Sequence, residues 1–420
     1  MRLLAPALLA ALLLAGCAHA PAAVSSTSGA APAGPSPSPQ ASAPMPLPPA
    51  GAWDPFEADV QAGRPVQVAA MYTADNRTTR ASPDYEVHGT LPHVTRTFGL
   101  QLAPSEVAAG AWFELDGARV AAPLVHAYAG AVVGRPADMV RLTVTPTWVR
   151  GMVYEGDHPF DVALGAFPLP EYVAGGGAAR AGHAHTHAQL AAPGAPHADP
   201  LQCLSDPLVG GERDPRSFKP TVRDGPSKDA PLRAHLVMDA DDALVALLGN
   251  DTAAYLVSEA QELDLIFSHE TAVTMRLDGV AVHTRPLGAA GGLFGNLKGA
   301  WDGRDLDRDL LVGFTANVED IRGLGETGQA YCIGAAGAPA FAYAFVGVDP
   351  ATFNERGMRY ILGHEVEHLF NAEHHDANDV ETDACTLMAV CAPVAGLNFV
   401  FSSIERGFVR GWAEAHLQNP

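Results

Sequence analysis

The stretch from His364 to Asp376, His-Glu-Val-Glu-His-Leu-Phe-Asn-Ala-Glu-His-His-Asp, constrains the fold more than any other part of the chain. His364 and His368 stand four residues apart, so on a helix they share one face of successive turns and can bind one metal ion. Glu365 follows the first of them, where its carboxylate can reach a water on that metal. Zinc accepts imidazole nitrogen and keeps a position open for water, whose pKa falls towards about 7. The carboxylate then takes the proton as the water attacks a carbonyl. The helix has to stop near Asn371, because asparagine is the best non-glycine residue for the left-handed turn that ends a helix. His374 falls six residues after His368, and Met388 lies about twenty residues beyond the helix. A solvated surface helix would account for a bare His-Glu-x-x-His but not for the third histidine or the methionine.

The start of the chain is an export signal. Arg2 precedes an apolar run from Leu3 to Ala15, too short for a transmembrane helix. The run ends in Leu14-Ala15-Gly16-Cys17, which resembles the lipobox of bacterial lipoproteins, and this makes Cys17 the acylated residue. An ordinary signal peptide cut near Ala18-His19-Ala20 is the alternative. Export permits disulfides, and Cys203, Cys332, Cys385 and Cys391 allow three complete pairings. The formal charge of −21 excludes a nucleic-acid footprint, which needs clustered Lys and Arg.

Composition divides the remainder. Residues 18–54 are almost all Ala, Pro, Ser and Gly, a tether unable to offset its ordering entropy. Residues 55–170 are strand-like: Val66 and Val68 alternate with polar neighbours, and Val140 to Val144 leads through Thr-Pro-Thr to a returning strand, Trp148–Tyr154. Residues 171–228 read as a protease-accessible linker, its His183, His185 and His187 a solvated low-complexity run, with metal capture the alternative. From 229 to 420 strands and helices alternate, which predicts an α/β sandwich. Its expected strands are Arg233–Met238, Asp309–Phe314 and Phe341–Val348, with Thr271–Leu277 and Val280–Thr284 as strands or a hairpin. Its expected helix, Asp251–His269, bears a stripe of Leu256, Ala260, Leu263 and Phe267, with Asp251 or Thr252 as cap.

The His364–His374 segment with Met388 resembles the metzincin signature His-Glu-x-x-His-x-x-Gly-x-x-His and its Met-turn, most closely in the reprolysin (adamalysin, ADAM-type) group. Gly328 to Gly334 resembles that group's substrate-binding edge strand, which takes up peptide by strand addition. Phe401-Ser-Ser403 resembles the approach to its last helix. Tyr128-Ala-Gly130, Gly134-Arg-Pro136 and Val140 to Tyr154 resemble its propeptide. The resemblance implies a zincin fold with an active-site helix and Met-turn, preceded by a β-rich propeptide-like domain. It implies a zinc endopeptidase acting on extended polypeptide, with His364, His368 and His374 as zinc ligands, Glu365 as general base and Met388 as the floor beneath the metal. A family propeptide cysteine can also block the zinc, and Cys203 in the linker is the candidate; a thiolate is a strong zinc ligand. The chain would then be a zymogen on a lipid anchor in the outer membrane or at the cell surface, freed by cleavage of the linker.

Several departures leave alternatives open. Asn371 replaces the usual glycine, and the family's His-Asp pair reads His374-His375-Asp376, so His375 competes as third ligand although the spacing selects His374. A different zincin would use Glu381 or Asp383. Ser403 stands where the family often has a disulfide cysteine. Asp302, Asp305, Asp307 and Asp309 form a solvated loop or hold calcium. A catalytically silent lipoprotein that only binds a partner is the other functional class, and the intact Glu365 speaks against it.

Overall fold

The computed structural model describes residues 54–73, 93–156, 158–165, 230–287, 292–304, 306–317, 328–348, 355–373, 375–376, 386–390 and 400–417. The expected signal peptide, tether and linker, with Cys17 and Cys203, lie outside these residues. So do His374, Asp305, Glu381, Asp383, Cys385 and Cys391. Residues 45–420 form one compact unit, and no helix among the described residues is long and apolar enough to cross a membrane.

A short helix, α1 (Asp54–Gln61), precedes six strands that close into a barrel. These are β1 (Val66–Thr73), β2 (His93–Pro104), β5 (His126–Val132), β6 (Arg135–Val144), β7 (Trp148–Glu155) and β8 (His158–Gly165). Every pairing is antiparallel, and β8 meets β1 at Asp161 and Met71 to complete the ring. Val66, Val68, Phe98, Leu100, Leu142 and Phe160 fill it, the inward half of a two-residue period. Glycine is obligatory where strands pass closely. A Cβ on Gly130 or Gly151 would lie 2.0 Å from a carbonyl oxygen of the adjacent strand.

The second sheet has the order β12-β13-β11-β9-β10-β3-β4. Its parallel centre is β9 (Leu232–Ala240), β10 (Val273–Val282), β11 (Leu310–Thr315) and β13 (Tyr343–Gly347). β11 is buried at all six positions, as a central strand covered on both faces requires. β12 (Gly328–Ala330) runs antiparallel to β13 at one edge, where the edge strand was expected. The other edge comes from the N-terminal part of the chain. β3 (Trp112–Leu115) lies parallel to β10, and β4 (Ala118–Val120) folds back on it.

The helices of this half are α2 (Asp242–Leu248), α3 (Thr252–Thr271), α4 (Gly292–Trp301), α5 (Glu355–Leu369) and α6 (Ser403–His416). Two expectations change. The region expected as two strands or a hairpin holds one strand, β10 (Val273–Val282), with a register shift between Leu277 and Gly279 in place of a hairpin turn. Asp251 occupies the N-cap position of α3 as expected but makes no side-chain cap hydrogen bond: it accepts from the Trp148 indole at 3.2 Å, and the Thr252 hydroxyl donates to the Gly249 carbonyl. Helix α3 is buried on nearly every side, Glu259, Gln261, Glu262 and Asp264 included.

Candidate metal centre

Helix α5 carries Met358, Ile361, Leu362, Val366 and Leu369 on its buried face, and His364 and His368 sit one turn apart on it. Their rings are 4.8 Å apart at 86°. The His364 Nδ1 lies 2.6 Å from the Leu387 carbonyl oxygen and the His368 Nδ1 lies 2.8 Å from that of Ala372. A carbonyl only accepts, so each Nδ1 carries its proton and each Nε2 is left with its lone pair. Backbone carbonyls fixing the tautomer in this way are the usual outer partners of metal-binding histidines. The donor set on α5 therefore suits a zinc ion. Among the described residues no group of three His, Cys, Asp or Glu side chains converges on a metal position; His374, the expected third ligand, lies outside them.

The helix ends as its sequence requires. Asn371 has φ +71°, and its amide donates to the His368 carbonyl at 2.9 Å. The amides of Gly334 and Ala336 donate to the carbonyls of His368 and Leu369, so the segment after β12 secures the end of α5. Beyond it, His375–Asp376 (β14) pairs in parallel with Ala389–Val390 (β15).

Glu365, 3% exposed, lies against the edge strand. A Cβ on Gly328 would come 2.8 Å from its Cγ and 2.9 Å from its Oε1. Glycine at 328 is what lets the β12 backbone pass over this carboxylate.

Met388 is fully buried in a turn with Leu387, and two side chains missed at the sequence level, Tyr360 and Glu405, hold this turn. The Tyr360 hydroxyl donates to the carbonyls of Thr386 and Leu387, both at 3.0 Å, and its ring stacks on His364. Burial pushes the Tyr360 phenol well above its ordinary pKa, which keeps it a donor. Glu405 Oε1 accepts from the Thr386 hydroxyl at 2.5 Å and the Met388 amide at 3.0 Å. Its Oε2 accepts from the Ser402 amide, while the Ser402 hydroxyl caps α6. Arg359, 1% exposed and five residues before His364, donates to Asp161 of the barrel at 2.8 Å and lies 3.0 Å from Glu262 of α3. Ser402-x-x-Glu405 is a legible capping box, and Tyr360 is one turn ahead of His364. Nothing local marks Arg359.

Of the expected calcium acids Asp305 lies outside the described residues, and among the described residues no three acidic side chains converge on a metal position. Asp302 accepts from the Tyr343 hydroxyl, and Asp309 accepts from the His235 amide on β9. Cys332 is buried and disulfide-bonded. Cys203 is thus available to a metal only where the partner of Cys332 is another cysteine.

No known protein family matches the chain, and no curated protein does. Among solved structures it is similar to metalloproteinase-II from Bacteroides fragilis, at 12% identity and a TM-score of 0.34, over 74% of this chain and 84% of that one. A likeness of that size carries no statement about shared chemistry.

Proposed function

We propose that the chain is a zinc-dependent endopeptidase acting on extended polypeptide, with the site on α5. One observation supports this most: His364 and His368 give both Nδ1 protons to backbone carbonyls while the buried Glu365 carboxylate sits beside them, under a sheet edge. A partner-binding module has no use for that carboxylate. His364, His368 and His374 hold zinc, which supplies Lewis acidity and a water of lowered pKa. A substrate strand lies along β12 by main-chain hydrogen bonds. Glu365 takes the proton from the attacking water and returns it to the leaving amine. Met388 packs beneath the site. Cys17 anchors the exported chain, and Cys203 is the candidate inhibitory ligand.

The test is metal analysis and a peptide-library digest of the full chain beside Glu365→Gln. The variant should keep its zinc and lose on the order of a hundredfold to ten-thousandfold in rate. Hydrolysis near the parent rate would sink the mechanism. His374→Ala should strip zinc and His375→Ala should not; the reverse result would hand the third position to His375.

A further inference from the structure

Residues 54–165 look in sequence like a part to be removed, but their contacts with residues 230–417 are those of a protein interior. The two share a sheet, with β3 running along β10 from Trp112 and Gly279 to Leu115 and Val282. A Cβ on Gly279 would lie 2.0 Å from the Trp112 ring, so β10 carries a glycine matched to that side chain. They also share a core: Val107, Phe113, Met152 and Tyr154 belong to one cluster with Leu236, Val257, Phe267 and Trp412. Tyr154 stacks on His269 with ring centres 4.1 Å apart.

Charges are exchanged across the same boundary in full burial. Arg150 of β7, 0% exposed, lies 2.8 Å from Glu259 and 3.1 Å from Glu262 of α3. Arg141 of β6 lies 2.7 Å from Asp264. Asp161 of β8 accepts from Arg359 of α5, which also meets Glu262. Were the barrel to leave, α3 would present Glu259, Glu262 and Asp264 with two of their three arginines gone. Buried charges left without partners are among the costliest defects in a protein. The barrel strands pack on α3, and their chain reaches the sheet at the β3–β4 edge. Glu365 lies under β12, at the opposite edge.

We infer that residues 54–165 are a permanent half of the folded unit rather than a releasable prosegment. Arg359 is the positioning residue through which the barrel holds α5 and, one turn on, His364. Cutting the connection between 166 and 229 severs the chain without parting the halves, so residues 230–417 stay with whatever holds the N-terminus. The positioning role rests on the metal-site reading; the permanence does not.

The test is to place a site-specific protease sequence within 171–228 of the full chain, cut it to completion and dilute to nanomolar concentration. The fragments should co-elute on gel filtration and unfold in a single transition by both tryptophan fluorescence and circular dichroism. Separate elution, or a barrel that melts on its own, would overturn the inference. Neither readout needs activity, so a cut chain that holds together but binds no zinc retires the enzymatic reading alone. Asp161→Asn, which keeps the shape of the Arg359 contact, should weaken zinc binding by on the order of tenfold with KM unchanged. Unaltered zinc affinity would remove Arg359 from its positioning role.

Discussion

Glu405 offers the sharpest perturbation, because one carboxylate, 1% exposed, serves two structures. It accepts from the Thr386 hydroxyl and the Met388 amide on one side and from the Ser402 amide on the other. Each buried donor left unsatisfied costs about 1–3 kcal/mol. Three of them, the capping-box contact to the Ser402 amide included, put Glu405→Ala at no less than about 3 kcal/mol. Against a total stability of roughly 5–15 kcal/mol, that variant risks not folding. Glu405→Gln is the working choice. Its amide oxygen still accepts, but its NH2 group now faces a donor, so one contact fails and about 1–3 kcal/mol is lost. The effect should reach the metal through the Leu387 carbonyl, which accepts from His364. Outer-partner losses of this kind typically weaken metal affinity about 10–100-fold. Urea denaturation with and without zinc reads the first quantity, and chelator competition reads the second. If stability fell while zinc affinity stayed at the parent value, Glu405 would serve only the start of α6, and the proposed link from cap to metal would be refuted.

Two further outcomes are expected. Arg150→Met removes the guanidinium between Glu259 and Glu262 and should cost about 3–5 kcal/mol in urea denaturation. Burial already pushes the Glu262 carboxyl up, with Arg150 and Arg359 pulling it back. The deficit should therefore be larger at alkaline than at mildly acidic pH, and a variant as stable as the parent would show the cluster to be neutral. Burial also lifts Asp241 to about 6, against the hydrogen bonds it makes with Thr315 and the Leu244 amide. A carboxyl whose folded pKa is raised contributes stability fully present below its unfolded value and lost as pH rises through about 6. Asp241→Asn keeps the helix cap. Its Tm should exceed the parent's above that pH and match it in acid; equal Tm values throughout would show that Asp241 ionises freely.

Much of the fold was legible where its signals are local. His364, His368 and Asn371 declare a helix and its end by spacing and turn chemistry, and β6, β7, β9, β11 and β13 overlap the alternating and apolar runs expected as strands. What escaped depends on distant partners. Asp278-Gly279 reads as a hairpin turn, yet β10 runs through it with only a shift of register, because Trp112 of another region needs the glycine. The stripe on α3 identifies one face, while the burial of Glu259, Glu262 and Asp264 depends on arginines more than a hundred residues earlier. Closure of the barrel through Met71 and Asp161 is equally non-local.

The two edges of the seven-stranded sheet differ in a way that bears on where a substrate would go. An open edge presents unpaired N–H and C=O groups and invites pairing with another chain, so proteins cover or shorten it. Here one edge is the β3–β4 hairpin, drawn from the far end of the sequence, whose outermost strand β4 is three residues long and exposed. The opposite edge is β12, three residues long and last in the strand order among the described residues. A merely leftover edge would have no need of a residue without a side chain, since a bulky one there would pack on α5. Gly328 instead brings its backbone to where any Cβ would meet the Glu365 carboxylate and Ile361. The short edge and the buried carboxylate are thus fitted to each other. A strand added along β12 would place its own peptide groups beside the one acid that the proposed chemistry requires.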